Sequence, residues 1–368
     1  MRLMRKLVAA AILALGVNHA ALAQTCPSSP YTLTNGTNAD ASQVMANFNN
    51  LLNCINSQPG LVFAPAGRLT LAIGTPVLTS TVSGAGTVYY TPYTGNLVPI
   101  WTGTGFVART FTELSNILAN STAGNAGPAA ATAGAVYDLF VWSNAGTVTL
   151  TRGPAWTTQT TRSSGTNLGR VNGILTNTVA ITNGPAAGFG TYIGTIATDT
   201  SNATVSWNPG SAATGGGASW LGVWNAFNRV DVGAFVQDNT PVWTYTSSAF
   251  RSANNSNNNR VTFVTGISED NFSATYSVRA QSPGVGGEAQ IGIGLNSTTG
   301  PGSRSIIATV WNSVANAAIV TLVAPISDVQ PIGVSYLQAL ERSDNTNTDY
   351  FYGVDVNLSM ALAARLRM

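Results

Sequence analysis

Apolar and polar positions near the N-terminus follow a helical period. In "NADASQVMANFNNLLNCIN", residues 38–56, Val44, Phe48, Leu51 and Ile55 recur at spacings of four, three and four. This spacing aligns them on one helix face, in a seam about two heptads long. We therefore predict an amphipathic helix whose apolar face serves docking or oligomerisation. Two heptads are too short to hold strands together unaided, so a lone helix packed on the next domain fits the pattern equally well.

The predicted helix has a start signal and an end signal. Thr37 followed three residues later by Asp40 matches a capping box. Gln58-Pro59-Gly60 then ends the helical pattern. Residues 24–60 therefore form a separate N-terminal stem or docking segment in our interpretation.

Beyond residue 60 the chain changes to short segments rich in Val, Thr, Tyr and Trp, separated by Gly, Asn and Pro. This pattern is typical of antiparallel strands joined by tight turns. Examples are "RLTLAI", "GTVYYTPY", "AVYDLFVW", "GTVTLTR", "TYIGTIAT", "RVTFVTGI", "NFSATYSVRA" and "AAIVTLVA". The sequence therefore predicts an all-β protein behind the short N-terminal helix.

Composition suggests how the β region is divided. The stretch "PGSAATGGGAS", residues 209–219, has the composition of a linker. We expect a β-rich domain over 61–212 and a β-sandwich or jelly-roll-like domain over 213–368. One further helix is predicted at "TFTELSNILAN", residues 110–120, where the leucines and isoleucine share a helical face.

The first 23 residues have the layout of a cleaved secretory signal. Three basic residues precede an apolar run from Leu7 to Val17, and Ala21-Leu22-Ala23 precedes Gln24. The run is too short to span a hydrocarbon core of about 30 Å. We therefore expect a protein that is exported, to the periplasm, the cell surface or the medium, and that does not span the membrane.

Charge and residue usage exclude several function classes for the exported chain. Removing Arg2, Arg5 and Lys6 leaves 13 basic residues, all Arg, against 14 acids, a net charge of −1. No basic stripe remains to follow phosphates, which argues against a nucleic-acid partner. The only Lys and the only His lie in the leader, which excludes Ser-His-Asp triads, Schiff-base lysines and His-ligated metals. No cofactor is expected.

Two cysteines, Cys26 and Cys54, flank the predicted helix. In an oxidising compartment a lone pair is expected to form a disulfide. Such a loop constrains the unfolded chain by about 3 to 4 kcal/mol on the entropy account. We therefore predict a disulfide-stapled helix, with two reduced thiols packed as small apolar groups as the alternative.

Paired carboxylates are an acid–base chemistry that remains without histidine, and they are the basis of glycoside hydrolysis. Five acids that fall in the predicted sandwich are candidates, namely Asp231, Asp238, Glu269, Asp270 and Glu288. Nothing in their spacing selects one pair. A secreted glycan hydrolase is therefore an alternative function.

One stretch of the sequence has enough clustered side-chain oxygens to be considered as a calcium site. "SDNTNTDY", residues 343–350, offers Asp344, Asn345, Asn347 and Asp349. The spacing does not match an EF-hand loop, and Asn and Asp favour hairpin turns. We interpret this stretch as a turn.

Sugar recognition uses aromatic platforms and exposed polar loops. Four tryptophans lie near predicted strand ends or turns, namely Trp142, Trp156, Trp243 and Trp311. The loop "SANNSNNNR", residues 252–260, is rich in amides. A surface glycan is therefore a candidate partner, with burial of the tryptophans and a solvated connecting loop as the alternatives.

Several short motifs occur in an order that resembles an uncharacterised family of phage and prophage tail-fibre-like, or virion-appendage, proteins. They span residues 68 to 353. The motifs are "RLTL" at 68–71, "TVYYTPYTGNLVPIW" at 87–101, "YDLFVW" at 137–142, "GPAW" at 153–156, "RVNGI" at 170–174, "YIGTI" at 192–196, "VWNAFNRV" at 223–230, "FRSANNSNNN" at 250–259, "YLQALE" at 336–341 and "FYG" at 351–353.

The resemblance implies a mostly β, structural or adhesive protein, trimeric, without catalytic residues to carry over. Combined with the leader, it predicts a fibre-like receptor-binding module that is secreted or recruited to the cell surface, or carried on a virion. An outer-membrane β-barrel shares the leader and the alternating strands and is the other alternative to adhesion.

Overall fold

The computed structural model describes residues 29–34, 40–57, 63–121, 127–314, 318–354 and 360–368. For residues 52–57 it describes the backbone but not the side chains. The chain divides into two compact units, Met1–Gly60 and Leu61–Met368. The predicted leader, residues 1–23, and Cys26 lie outside the described residues.

The first unit contains the predicted helix, which is confirmed as α1, Ala41–Ser57. The backbone carbonyl of Asp40 accepts the first helical hydrogen bond, from Val44 N at 3.1 Å. Its side-chain Oδ1 accepts the backbone N–H and the hydroxyl of Ser42, each at 2.7 Å. These bonds lower the pKa of Asp40, so it is the capping residue. The capping box had placed the cap at Thr37, outside the described residues.

The second unit is built from short strands. Those of the first part of the unit are β1 (Gly67–Thr70), β2 (Val82–Ala85), β3 (Thr87–Pro92), β4 (Leu97–Trp101), β5 (Phe106–Thr110), β6 (Leu114–Ile117), β7 (Val136–Asn144), β8 (Thr147–Ala155), β9 (Leu168–Val171), β10 (Ile174–Asn177), β11 (Thr191–Ala197), β12 (Val205–Asn208), β13 (Ala212–Ala213), β14 (Ser219–Leu221) and β15 (Val223–Asn225).

The strands of the second part are β16 (Asp231–Asp238), β17 (Trp243–Tyr245), β18 (Arg251–Ser252), β19 (Arg260–Thr265), β20 (Asn271–Gln281), β21 (Glu288–Leu295), β22 (Ala308–Trp311), β23 (Val320–Val329), β24 (Gly333–Arg342), β25 (Asp349–Tyr352) and β26 (Ala361–Arg367). Two single 3-10 turns, Ser164–Thr166 and Ala253–Asn255, interrupt the connections. The predicted all-β fold is confirmed.

Two large sheets dominate the second unit. An eight-stranded sheet has the order β2-β12-β14-β19-β24-β21-β22, with β18 also paired to β24. A seven-stranded sheet has the order β13-β16-β26-β20-β25-β17, with β23 also paired to β20. Phe263 of the first and Phe272 of the second meet with ring centroids 6.2 Å apart. Their inner faces therefore share a core, as in a sandwich.

Smaller sheets carry the N-terminal strands of this unit. A six-stranded sheet has the order β8-β7-β11-β10-β9, with β15 paired to β11. Strands β1, β3 and β6 form a three-stranded sheet, and β4 and β5 a hairpin. Leu139, Tyr192 and Trp224 are among the fully buried side chains here and belong to the same continuous core as the larger sheets.

The unit does not separate at the boundary predicted between residues 212 and 213. Strands β2 and β12, which precede that point, join β14 and β19 in one sheet. The buried guanidinium of Arg68 also donates to the backbone carbonyls of Asn228 and Met368. Long-range pairing therefore gathers residues 61–368 into one compact unit, where composition had suggested two domains.

The supposed linker is a packed element. Ser211 and Gly217 face each other in a backbone bridge, and Gly217 N donates to Gln237 O at 3.1 Å. A Cβ on Gly217 would collide with the backbone oxygen of Ser211. The small residues of 209–219 are therefore explained by close backbone approach, since only glycine fits there.

The helix predicted over residues 110–120 is wrong. Leu114–Ile117 is the strand β6, paired with β3. Asn116 is fully buried and accepts a 2.7 Å hydrogen bond from the guanidinium of Arg152, whereas the apolar Ile117 is exposed. Tertiary contacts with a buried arginine thus override the helical spacing of the apolar residues.

Candidate functional site

One face of the seven-stranded sheet is exposed and carries both hydroxyl and apolar side chains. Along β20 the side chains alternate, with Phe272 and Tyr276 buried and Ser273 and Thr275 exposed. Strand β23 alternates in the same way. Because successive side chains of a strand point to opposite faces, hydroxyls from neighbouring strands gather on the outside of the sheet.

Strand register places Ser273 and Ser327 side by side in one row of this face and Thr275 in the next row. Ser273 pairs with Arg365 of β26 on one side and with Ser327 of β23 on the other. In the adjacent row, Thr275 pairs with Ala363 and with Pro325. Phe235 of β16 extends this second row beyond Ala363 and is exposed.

Two neighbouring depressions follow these rows, with volumes of about 270 and 450 Å³. They share Ser273 and Ser327. We call their combined lining the outer groove, which consists of Asp231, Asp270, Asn271, Phe272, Ser273, Ala274, Thr275, Arg304, Ile306, Pro325, Ile326, Ser327, Arg365, Leu366 and Arg367.

Charged side chains at the outer groove occur as ion pairs. Arg365 lies 2.6 Å and Arg367 4.0 Å from the carboxylate of Asp231. Arg304 lies 3.2 Å from the carboxylate of Asp328. Asp270 is held by an arginine outside the groove, Arg229, at 2.8 Å. The groove therefore offers donors and acceptors on both sides of a hydroxyl-lined floor, with little net charge.

Such a surface suits a polyhydroxylated ligand. Arginine and carboxylate pairs present directional donors and acceptors to hydroxyl groups, and the exposed Ile306 beside Pro325 offers an apolar contact. Both acids of the groove, Asp231 and Asp270, are paired with arginines. The outer groove can therefore donate and accept hydrogen bonds along a ligand that carries several hydroxyl groups.

The carboxylates predicted as hydrolase candidates separate in the structure. Asp231 and Asp270 both line the outer groove. Asp238 is fully buried elsewhere, and Glu269 pairs with Arg229 at 3.2 Å. Glu288 begins β21 in the other large sheet. Asp231 and Asp270 are therefore the two of these acids that the outer groove brings together.

The amide-rich loop at 252–260 is largely structural. Asn254 and Asn259 each donate a 2.9 Å side-chain hydrogen bond to Oδ2 of Asp238. Together with hydrogen bonds from Thr240, these bonds lower the pKa of Asp238 against the opposing effect of burial. Asn255, Asn257 and Asn258 are the asparagines of the loop that stay exposed. A connecting loop anchored on a buried carboxylate describes it better than a free recognition loop.

A second buried carboxylate, Glu341, lies close to the first. It accepts hydrogen bonds from the indole of Trp243 at 2.6 Å and from Arg251 Nε at 2.9 Å. Burial raises the pKa of Glu341 to about 7 although Arg251 opposes that shift. The buried hydroxyl of Tyr276 has no hydrogen-bond partner in the described part of the chain, and it interacts electrostatically with both Glu341 and Asp238. This polar centre is enclosed in the sandwich and has no exposed carboxylate.

A third buried carboxylate, Asp138, stabilises the six-stranded sheet. Arg162 donates to both carboxylate oxygens at 3.0 Å. The indole of Trp156 and the hydroxyl of Thr195 add bonds of 3.1 and 2.6 Å. Burial raises the pKa of Asp138 against these contacts. Four side-chain hydrogen bonds satisfy its two oxygens, so we assign it a structural role.

Of the four tryptophans considered as sugar platforms, Trp311 is the exposed one, at 66%. It ends the edge strand β22. Trp156 and Trp243 are buried against carboxylates, and Trp142 donates to Thr151 at 2.7 Å. The outer groove therefore does not use the aromatic residues that the sequence suggested.

The structure describes three of the four side chains on the predicted docking face of α1. Phe48 is 62% and Leu51 52% exposed, and Val44 is half-buried. The side chain of Ile55 lies outside the described part of the helix, as does that of Cys54. The disulfide between Cys26 and Cys54 therefore stays a prediction, and so does oligomerisation through this face.

Comparison with protein-family models and with curated proteins finds no match to this chain. Within the described residues, no helix combines the length and apolar character that a membrane crossing requires. The likeness to tail-fibre proteins accordingly remains a hypothesis based on motif order.

Sequence reasoning missed most residues of the outer groove. The hydroxyls of Ser273, Thr275 and Ser327 and the guanidinium of Arg365 were not singled out. A signal was present, because "NFSATYSVRA" alternates polar and apolar residues with a strict period of two. That pattern identifies an exposed strand face, but it does not say which strands lie beside it.

Proposed function

We propose that this protein is a non-enzymatic, adhesive or receptor-binding module of the phage tail-fibre-like type, exported and displayed at a surface. Its outer groove binds a surface glycan, and α1 holds copies together as a trimer. The observation that carries this proposal is the groove itself, a hydroxyl-lined floor between arginine and carboxylate pairs.

Binding is tested by screening the purified protein on arrays of surface polysaccharides and oligosaccharides. Replacing Ser273 by Tyr fills the floor of the groove, and an exposed strand position tolerates an aromatic residue. Thr321→Tyr on β23 is a matched control, because Thr321 is exposed outside the groove lining. We expect Ser273→Tyr to abolish binding and Thr321→Tyr to leave it unchanged. Equal binding by both variants would remove the groove from the proposal.

Polar recognition is tested by Arg365→Ala. A hydrogen bond to a charged group contributes about 1.5 to 3 kcal/mol, so affinity should fall by about 10- to 100-fold. Arg109→Ala is the control, since Arg109 is an exposed arginine on the β4–β5 hairpin. If Arg109→Ala weakens binding as much as Arg365→Ala, the contribution of Arg365 is non-specific.

A secreted glycan hydrolase is the second candidate, because Asp231 and Asp270 line the same depression. Release of soluble sugar from a bound polysaccharide, lost in Asp270→Asn while binding persists, would establish this function in place of simple adhesion. Binding without product release supports the adhesive function.

A further inference from the structure

A group of buried polar residues lies at one end of the sandwich, where two loops meet. Ser282 follows β20 and leads towards β21, and Asp349 begins β25 after the loop that leaves β24. The strands bring the loops together, because Gln281 pairs with Tyr350. Ser282 and Asp349 are both fully buried. We call this group the Asp349 cluster, formed by Ser282, Gly284, Gly287, Glu288, Asp344, Asn347 and Asp349.

The carboxylate of Asp349 is unusual in this protein. Among the residues that the structure describes, neither of its oxygens has a hydrogen-bond partner, and neither does the hydroxyl of Ser282 beside it. Burial raises the pKa of Asp349, although the nearby hydroxyls of Ser282 and Ser343 oppose the shift. These hydroxyls lie close by without the geometry of a hydrogen bond to it.

Comparison with the other buried acids makes the deficit clear. Asp138 has Arg162, Glu341 has Arg251, and Asp238 has two asparagine amides. Asp349 has no ion pair among the described residues, and the negative charges of Asp344 and Glu288 act on it instead. Buried charges in proteins are paired or coordinate metals. The missing component here is a positive charge.

Oxygen atoms converge around two glycines of the Asp349 cluster. A Cβ placed on Gly287 would collide with the hydroxyl of Ser282 and come within 2.9 Å of the carbonyl oxygen of Gly284. A Cβ on Gly284 would collide with the side-chain oxygen of Asn347. The oxygens of Ser282 and Asn347 therefore lie where side chains on these two glycines would be, and glycine allows hydroxyl, carbonyl and amide oxygens to pack closely together here.

We propose that the Asp349 cluster binds a hard divalent cation of the Ca²⁺ type, with the Asp349 carboxylate and the Ser282 hydroxyl as ligands. No three His, Cys, Asp or Glu residues surround a common metal position in the described part of the chain. The set is therefore one carboxylate completed by neutral protein oxygens and water, which Ca²⁺ accepts because it tolerates flexible oxygen coordination. Asp344 and Glu288 add negative potential. The carboxylate of Asp344 is not proposed as a ligand, because it stabilises a turn. Its Oδ1 accepts hydrogen bonds from the backbone N–H groups of Thr346 and Asn347, each at 2.7 Å.

This proposal does not depend on the outer groove. It is tested by measuring how Ca²⁺ changes the thermal stability of the protein. A ligand that binds only the folded state raises Tm, and Ca²⁺ at about 100 times its Kd raises it by several degrees. We expect Ca²⁺ to raise the Tm of the wild-type protein after EDTA treatment. Mg²⁺, which demands near-octahedral geometry and retains its water, should have a much smaller effect.

Variants locate the effect. Asp349→Asn should remove the Ca²⁺ response and should raise Tm in EDTA, because an unpaired buried charge is gone. Asp231→Asn makes the same charge change at an exposed site and should retain the response. Ser282→Ala should weaken Ca²⁺ binding in calorimetric titration. A wild-type protein that ignores Ca²⁺, or an Asp349→Asn protein that responds like the wild type, would overturn the proposal.

Discussion

The indole of Trp243 donates a 2.6 Å hydrogen bond to the fully buried carboxylate of Glu341, whose second oxygen lies 2.8 Å from Arg251. Asn254 N also donates to this carboxylate, and the buried hydroxyl of Tyr276 lies near enough to interact with it electrostatically. The acid is thus well supplied with donors and still resists ionisation, because burial outweighs them. This balance makes the stability of the sandwich depend on pH.

The first prediction concerns that dependence. Above pH 4.5 the unfolded carboxyl of Glu341 loses its proton, whereas the folded one keeps it until about pH 7. The free energy of unfolding should therefore fall as pH rises through this window, by about 3 kcal/mol from this group. Glu341→Gln should remove that part of the decline, as measured by urea unfolding at several pH values. Glu269→Gln, at an exposed acid, is the control, and identical profiles for the two variants would contradict the assignment.

A second prediction concerns the ion pair of Arg162 and Asp138, whose side chains are 12% and 2% exposed. Removing one partner of a buried pair leaves an uncompensated charge and costs about 3 to 5 kcal/mol. We expect Arg162→Met to lower the free energy of unfolding by that amount. Arg170→Met is the matched control because Arg170 is exposed, 4.0 Å from Glu269, where an ion pair contributes at most about 1 kcal/mol. If both variants lose the same free energy of unfolding, the pairing of Arg162 with Asp138 contributes no more to stability than an exposed ion pair.

The packed role of residues 209–219 gives a third prediction. Ala at position 217 would drive its Cβ into the backbone of Ser211, and overpacking of this kind costs about 1 to 3 kcal/mol. At Gly233, on the exposed face of β16, nothing lies within 4 Å of the added Cβ. Thermal unfolding should show a lower Tm for Gly217→Ala and an unchanged or slightly higher Tm for Gly233→Ala. If Gly217→Ala has the same Tm as the wild-type protein, residues 209–219 act as a flexible linker and are not a packed element.

Assembly through α1 gives the fourth prediction. Charges at Phe48 and Leu51 would be buried in an oligomer, so the double variant Phe48→Asp, Leu51→Asp should dissociate the protein into monomers. Light scattering coupled to size-exclusion chromatography measures the mass directly. Asn49→Asp adds a charge at an exposed polar position of the same helix and should leave the oligomer intact. A monomeric wild-type protein would contradict oligomerisation through this helix.

How far the sequence predicted the structure depends on the range of the interactions involved. Helix α1 was predicted because its apolar spacing and its breaker at residues 58–60 are local signals. Residues 110–120 were assigned wrongly because the decisive contact, between Asn116 and Arg152, joins positions 36 residues apart. The boundary at 212 was suggested by glycine content, which reports backbone freedom and does not distinguish a linker from a closely packed bridge.

The outer groove shows the same limit at the level of function. The period-two pattern from 271 to 280 predicts an exposed strand face, but the groove needs β16, β20, β23 and β26 side by side. Their register sets Ser273 between Arg365 and Ser327. No local pattern encodes that neighbourhood, because strand pairing joins residues distant in sequence.

By itself, the sequence determined the all-β class, the N-terminal amphipathic helix and the lack of His and Lys after residue 23, since these follow from composition and local periodicity. Only the tertiary structure decided which acids are buried with a partner and which is left without one. Asp349 and Glu341 are both acidic residues in polar surroundings along the chain, and both are fully buried. Burial and hydrogen bonding arise from long-range packing, and they separate the carboxylate that Arg251 compensates from the one we expect a cation to compensate.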